Sequence, residues 1–166
     1  MKQPFYGKFR GIVTDIQDPL FMGRIRAQVP DVLGDQESGW AMACTPFAGQ
    51  RSGFYALPTK GAGVWIEFEH GDPDYPIWSG CWWGQASDLP PEALVPPFQK
   101  IVIKSAGGNS LILDDTPGLS NILLRTTGGQ TISMTPEGIL VDNGQGAVIV
   151  LVGNQVVVNN GALQVI

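Results

Sequence analysis

Few residues in this chain have types and spacing that could support chemistry. His70 stands among Glu67, Glu69, Asp72 and Asp74, and imidazole with carboxylate oxygens is a donor set that binds zinc and related ions. Strand alternation divides that group: Glu67 and Glu69 share one face, His70 points to the other, and Asp72 and Asp74 flank Pro73 in a turn. Asp114 and Asp115 have the types of an acid and base pair for glycoside hydrolysis. Adjacent strand-end residues point in opposite directions, however, and the Thr116-Pro117-Gly118 that follows reads as turn chemistry. The pairs Gly107-Gly108 and Gly128-Gly129 precede no helical pattern, so they lack the amide-lined helix start that cradles phosphate. One histidine and no Gly-x-Ser-x-Gly elbow leave no nucleophile with an evident base. The reading is a chain without catalytic residues, metal or cofactor.

Binding chemistry is equally restricted. Trp78, Trp82 and Trp83 could stack nucleotide bases, but ten basic residues face fifteen acidic ones and the net charge is −5. A groove for single-stranded nucleic acid needs a positive track, so barrel core and subunit contact account better for these rings. Nucleic acid is therefore not expected as a partner. Cys44 and Cys81 each lie in an apolar strand-like run without close spacing, and they read as reduced core residues.

The elements that would carry these residues are strands. Twenty-two Gly and thirteen Pro in a chain that is 43% hydrophobic and 15% charged place frequent turns between short apolar segments, as in an all-β protein. Tyr6 to Asp18 reads as the first strand and ends at the Asp18-Pro19 turn. Gly23 to Val29 follows, with Ile25, Ala27 and Val29 alternating with Arg24, Arg26 and Gln28. A loop over Pro30 to Gly39 precedes a third strand whose apolar face is Trp40, Met42 and Cys44. A second loop, Phe47 to Lys60, leads to Val64, Ile66 and Phe68, alternating with Trp65, Glu67 and Glu69. After the turn at Gly71-Asp72-Pro73-Asp74, Tyr75 to Trp83 returns as the fifth strand. Such a series predicts a small Greek-key barrel of the OB type over residues 1–85. Residues 86–99, rich in proline, read as a linker.

Residues 100–166 change character. Short apolar runs, from Ile101-Val102-Ile103 and Leu111-Ile112-Leu113 to Val148 to Val152 and Val156 to Val158, recur between Gly, Asn and Asp turns, the mark of a β-helix or β-prism. From Thr126 to Ile166 the only charges are Glu137 and Asp142. A lone strand array of this kind would expose hydrophobic edges, which soluble proteins avoid. Identical chains wound about a common axis, most simply a homotrimer, would pair those edges and bury Ile101, Ile103, Leu111, Leu113, Val148, Val150, Val156 and Val158. Half of an ordinary β-sandwich is the plainer alternative, though its strands would carry polar residues outward. No apolar run of about 18 residues and no signal-like N-terminus is present, so synthesis as a soluble cytoplasmic protein is expected.

The residues Tyr6-Gly7-Lys8, Gly23 to Arg26, Trp40, Gly61 to Glu69 with Phe68, and Gly71-Asp72-Pro73-Asp74-Tyr75-Pro76 resemble the OB domain of the phage baseplate assembly protein V family. Ile101 to Lys104, Gly107-Gly108-Asn109 and Leu113-Asp114-Asp115-Thr116-Pro117-Gly118 resemble the start of the spike in the same family, which is related to type VI valine-glycine repeat (VgrG-type) spikes. That resemblance implies a trimeric, non-enzymatic central spike of a phage tail or injection-system baseplate. The spike would attach to a baseplate hub protein through the OB domain and be driven through the target cell envelope on contraction. Relatives with their own pointed tip use a His-x-His site near the C-terminus. This chain ends in Gln164-Val165-Ile166, so the resemblance implies that these residues meet a separate PAAR-repeat tip protein. An OB-type single-strand nucleic-acid binder and a β-helical receptor-binding fibre stay open as alternatives.

Overall fold

A computed structural model describes residues 4–119 and 121–165. They fall into two compact units that divide after Gly84, and strands are the main regular structure of both.

The first unit is a curled five-stranded sheet. Its strands are β1 (Phe9–Asp15), β2 (Arg26–Gln28), β3 (Met42–Ala43), β6 (Gly63–Phe68) and β7 (Pro76–Trp82), in the order β2-β1-β6-β7-β3. The pairings are antiparallel except for β3 beside β7. Alternation along the strands selects the inner face: Val64, Ile66 and Phe68 point in together with Val13, Ile25, Ala27, Val29 and Trp78. Phe5 packs edge-on against Phe9 and Phe68, and the Phe9 ring lies tilted against Phe68 with centroids 5.7 Å apart. Ile25, Ala27 and Val29 are fully buried, as their alternation predicts.

The third strand turns its other side inward. Ala41 is the buried residue and bridges to Ile25, whereas Met42 and Cys44 are exposed and Trp40 lies outside across Arg24 and Arg26. The inner wall beside Ile25 has room for a methyl group and not for an indole, so side-chain volume overrides the simple apolar pattern. Cys81 is exposed as well, which corrects the expectation that both cysteines belong to the core. Two stretches that read as loops carry local structure. Residues 30–33 form a single helical turn, α1 (Pro30–Leu33), with Pro30 at its first position and Gly34 at φ 60° behind it. Phe47 to Lys60 contains a small ribbon of β4 (Ala48–Gly49) and β5 (Ser52–Gly53).

The second unit opens with two 3-10 turns, Ala86–Asp88 and Pro91–Leu94. An eight-stranded antiparallel meander follows: β8 (Lys100–Lys104), β9 (Ser110–Asp114), β10 (Asn121–Arg125), β11 (Thr131–Thr135), β12 (Gly138–Asp142), β13 (Val148–Val152), β14 (Gln155–Val158) and β15 (Leu163–Val165). Each strand pairs with its neighbours in sequence within the same chain. Among the described residues, only the outer edges of β8 and β15 are left without a ladder in this sheet. The sequence argument placed the exposed surface at strand edges, but consecutive strands joined by short turns pair first with each other, and the surface needing cover is a face.

Candidate functional site

That face belongs to the eight-stranded sheet. Residues directly opposite one another across an antiparallel pair project to the same side, so the register can be followed strand by strand. One column runs Ile103, Leu111, Leu124, Ile132, Val141, Ile149, Val158 and Leu163. Beside it runs Ile101, Leu113, Ile122, Met134, Ile139, Leu151 and Val156. Neither column contains a polar side chain. In the single chain most of these residues are exposed, Ile101 at 59%, while Leu111, Leu113 and Val158 are half-buried. Glycine-bearing turns wall the first column into a trough, among them Ser105 to Asn109, Thr126 to Gln130 and Asn143 to Ala147. The turns stack on one another. Asn109 Oδ1 accepts from the Thr127 N–H at 3.2 Å, Asn159 Oδ1 accepts from the Val148 N–H at 3.0 Å, and Gly144 lies so close to Gly129 that a Cβ there would meet its carbonyl carbon at 2.9 Å.

Of the core residues expected from sequence, the register brings Ile101, Ile103, Leu111, Leu113, Val156 and Val158 together on this face. Val148 and Val150 project from the opposite face, because Ile149 and Leu151 are the residues of β13 that pair with Val158 and Val156. Sequence reasoning passed over Ile122, Leu124, Ile132, Met134, Ile139 and Val141, whose signal was the alternation with Leu123, Ser133 and Leu140. The expected tip contact falls at the limit of the described residues: Ile166 lies outside them, and Gln164 and Val165 enter only through the backbone of β15.

On the opposite face the start of the sheet is mixed: Val102, buried Ile112 and Leu123 form its middle, and ion pairs flank them. Lys100 Nζ lies 3.2 Å from Asp114, its direct cross-strand partner, and Lys104 Nζ lies 2.8 Å from Glu92 in the second 3-10 turn. Contacts with Thr116, and then Lys100, hold the Asp114 carboxyl below the usual range. The Thr116 N–H donates to it at 3.0 Å, which is the turn chemistry read from the sequence.

In the first unit the motif residues serve the barrel. Gly23, at φ 74°, accepts the Trp78 indole N–H at 3.2 Å. Phe68 is core, and Gly71, at φ 79°, meets the N-terminal segment so closely that a Cβ would lie 3.1 Å from the Phe5 nitrogen. The Asp72 carboxyl accepts the Asp74 N–H at 3.1 Å across Pro73. His70, also in the left-handed region, sits on the 3-10 turn between them, while Glu67 pairs with Lys8 at 3.3 Å. Among the described residues no three His, Cys, Asp or Glu side chains lie close enough to hold a metal. Trp40 has Arg24 and Arg26 over its ring, but Arg24 is bound to Asp18 at 2.6 Å and Arg26 to Glu37 at 3.4 Å. Both cations at Trp40 are thus paired with carboxylates, while Arg10 lies over the Trp65 and Trp82 rings, 5.8 and 5.1 Å from their centroids. Trp78 is buried and Trp82 donates to the Val64 carbonyl at 3.1 Å, whereas Trp83 is exposed. A separate exposed group gathers at loops: Leu20, Phe21 and Met22 after β1, and Phe47, Phe54 and Tyr55 around the β4–β5 ribbon. Phe21 is 93% exposed and has φ 55°.

Comparison with known proteins gives a consistent result. Residues 9–83 match the family described as the type VI secretion system/phage-baseplate injector OB domain, and residues 100–164 match the phage baseplate V C-terminal trimerisation domain. Over 95 residues the chain is 35% identical to the actin cross-linking toxin VgrG1 of Vibrio cholerae, a match that covers 54% of this chain and 9% of that protein. Over 111 residues it is 31% identical to the type VI secretion system spike protein VgrG4b of Pseudomonas aeruginosa, covering 61% of this chain and 14% of the relative. The spike protein VgrG3 of Vibrio cholerae matches at the same identity and length, with 11% of its own chain covered. The chain thus spans a small part of the curated relatives it matches.

Proposed function

The chain belongs to the family of phage-baseplate and type VI injector spikes, and from that membership we propose that it acts as the non-enzymatic central spike of a contractile tail or injection particle. One observation carries the reading: two unbroken apolar columns cover one face of an eight-stranded sheet that the chain cannot bury by itself. Three copies that turn those columns toward a common axis would convert the exposed face into a core. Each fully buried Val, Ile or Leu contributes about 1.5–3 kcal/mol, so even ten per chain amount to tens of kcal/mol before chain entropy is subtracted. The product is a stiff shaft with no folding step of its own to perform when the surrounding sheath contracts.

In this proposal the OB unit docks the trimer on a baseplate hub protein, and the exposed loops around Phe21 and Tyr55 are an apolar surface suited to such a contact. The far end receives a PAAR-repeat tip protein, and the shaft crosses the target cell envelope when contraction drives it. Contractile particles assembled without this chain should lose baseplates or infectivity, and re-supplied protein should appear at the particle axis by labelled electron microscopy. Normal particles made in its absence would refute the assignment. In solution, light scattering should give three times the mass of the 17.8 kDa chain; a monomer at micromolar concentration would refute the shared core.

A further inference from the structure

The outer side of the first sheet carries an arginine that has aromatic support and, among the described residues, no carboxylate. Along β1, Phe9 and Gly11 turn toward the core and Arg10 and Ile12 away from it. Arg10 lies directly opposite Trp65 on β6, and Ile12 lies opposite Gly63, which in turn faces Trp82 on β7. The absence of a side chain at Gly63 lets the Trp82 ring lie over β6, since a Cβ there would sit 2.6 Å from that ring. The Trp82 indole N–H is held by the Val64 carbonyl at 3.1 Å, and the Trp65 ring stands beside it with centroids 6.5 Å apart. The Arg10 guanidinium is set over both rings. Arg24 and Arg26, which share Trp40 in the same way, each bind a carboxylate of their own chain. Lys8 is occupied by Glu67 and by the Ser79 hydroxyl at 2.6 Å. Arg10 is exposed and has only the rings.

We propose that this surface binds an acidic segment of a protein partner, with an aspartate or glutamate carboxylate seated on Arg10. A guanidinium held against rings loses little freedom on binding, and its N–H fork matches a carboxylate through two parallel bonds. The rings attract the cation but offer those N–H groups no lone pair, so the donors stay open to an incoming acceptor. Ile12, at 40% exposure, and the half-buried Trp65 and Trp82 add apolar surface beside the cation. Aromatic rings and arginine are the residue types that concentrate binding energy at protein interfaces. A polyphosphate strand fits less well, because Glu67 lies on the same side of β6 and the net charge is −5, and both repel a ligand carrying many negative charges. A single carboxylate needs only the one cation. The inference stands on the first unit and is independent of the spike reading.

Nuclear magnetic resonance of the full chain with isotope-labelled tryptophan tests the proposal. The probes are the peptides N-acetyl-Leu-Glu-Leu-amide and N-acetyl-Leu-Gln-Leu-amide, each titrated to about 10 mM, tenfold above a ~1 mM dissociation constant. The glutamate peptide should shift the indole signals of Trp65 and Trp82 along a saturable curve and leave that of buried Trp78 in place. It should bind roughly threefold or more tighter than the glutamine peptide. That contrast is read on the unaltered chain, so it decides the matter whatever the stability of any variant. Arg10→Gln should bring the glutamate peptide down to the affinity of the glutamine peptide, and Arg10→Lys, which keeps the charge without the fork, should fall between. Equal binding of the two peptides, unmoved Trp65 and Trp82 signals, or an Arg10→Gln chain that binds the glutamate peptide as wild type does would each overturn the proposal. Oligothymidylate that shifts the same two signals at a lower concentration than the glutamate peptide would overturn it as well, in favour of a phosphate strand.

Discussion

At the residue scale, Asp18 is the clearest case of one side chain fixing a loop. Its carboxylate accepts from Arg24 Nη2 at 2.6 Å and Nε at 3.1 Å, and from the backbone N–H groups of Leu20, Met22 and Arg24 at 3.0, 2.8 and 3.3 Å. The Arg24 guanidinium, followed by those N–H groups, holds the carboxyl far below the ordinary carboxylate range despite its burial. A carboxyl depressed in the folded state stabilises that state above the unfolded value near ~3.9, and the contribution fades as pH falls from there toward the folded value. Asp18→Asn should therefore lower the melting temperature of the first unit at neutral pH, with the gap to wild type closing below about pH 4. All five tryptophans lie in that unit, so their fluorescence follows it alone; parallel melting curves for both proteins across the acid range would refute the role. Gly63 gives a steric test of the same barrel. A Cβ there would sit 2.6 Å from the Trp82 ring and 2.8 Å from the Trp82 carbonyl oxygen, so Gly63→Ala should cost about 1–3 kcal/mol by the same fluorescence reading.

Parity decides the argument at the scale of the element. Leu140 and Val141 are neighbours of similar apolarity on β12, yet the register sends Val141 to the face with Ile132 and Ile149 and Leu140 to the other. Val141→Ser should weaken association by about 1.5–3 kcal/mol per chain, and therefore roughly three times that per trimer, while Leu140→Ser leaves the trimer mass unchanged in dilution series. Equal dissociation by both variants would mean that the shared core is not this face. The same parity explains what the sequence could and could not tell. Gly23 to Val29 and Val64 to Phe68 alternate apolar with polar or half-polar residues, and their inner faces were legible. Trp40 to Cys44 alternates large with small, and only the space beside Ile25 reveals that the small residue points inward. Val148 to Val152 has no alternation of polarity, so its facing is set by pairing with β12 and β14, which composition does not encode. The helical turn at Pro30 is too short to show a period.

The whole molecule joins a unit that closes on its own core to a unit that leaves one face open. The buried cluster around Ile25, Ile66 and Phe68 is complete within residues 1–84, whereas the two columns of the second unit have no cover within their own chain among the described residues. Unfolding should accordingly divide into two transitions with different concentration dependence. Tryptophan fluorescence should report the first at a midpoint independent of protein concentration. Far-ultraviolet circular dichroism, which also registers the eight-stranded sheet, should show a second transition that moves upward as concentration rises. For a trimer dissociating to three chains, a tenfold rise in concentration adds about 2.7 kcal/mol per trimer, because two factors of ~1.36 kcal/mol enter the equilibrium. Coincident transitions that ignore concentration would mean that the columns are covered from within the chain, and the mechanical reading of the shaft would lose its basis.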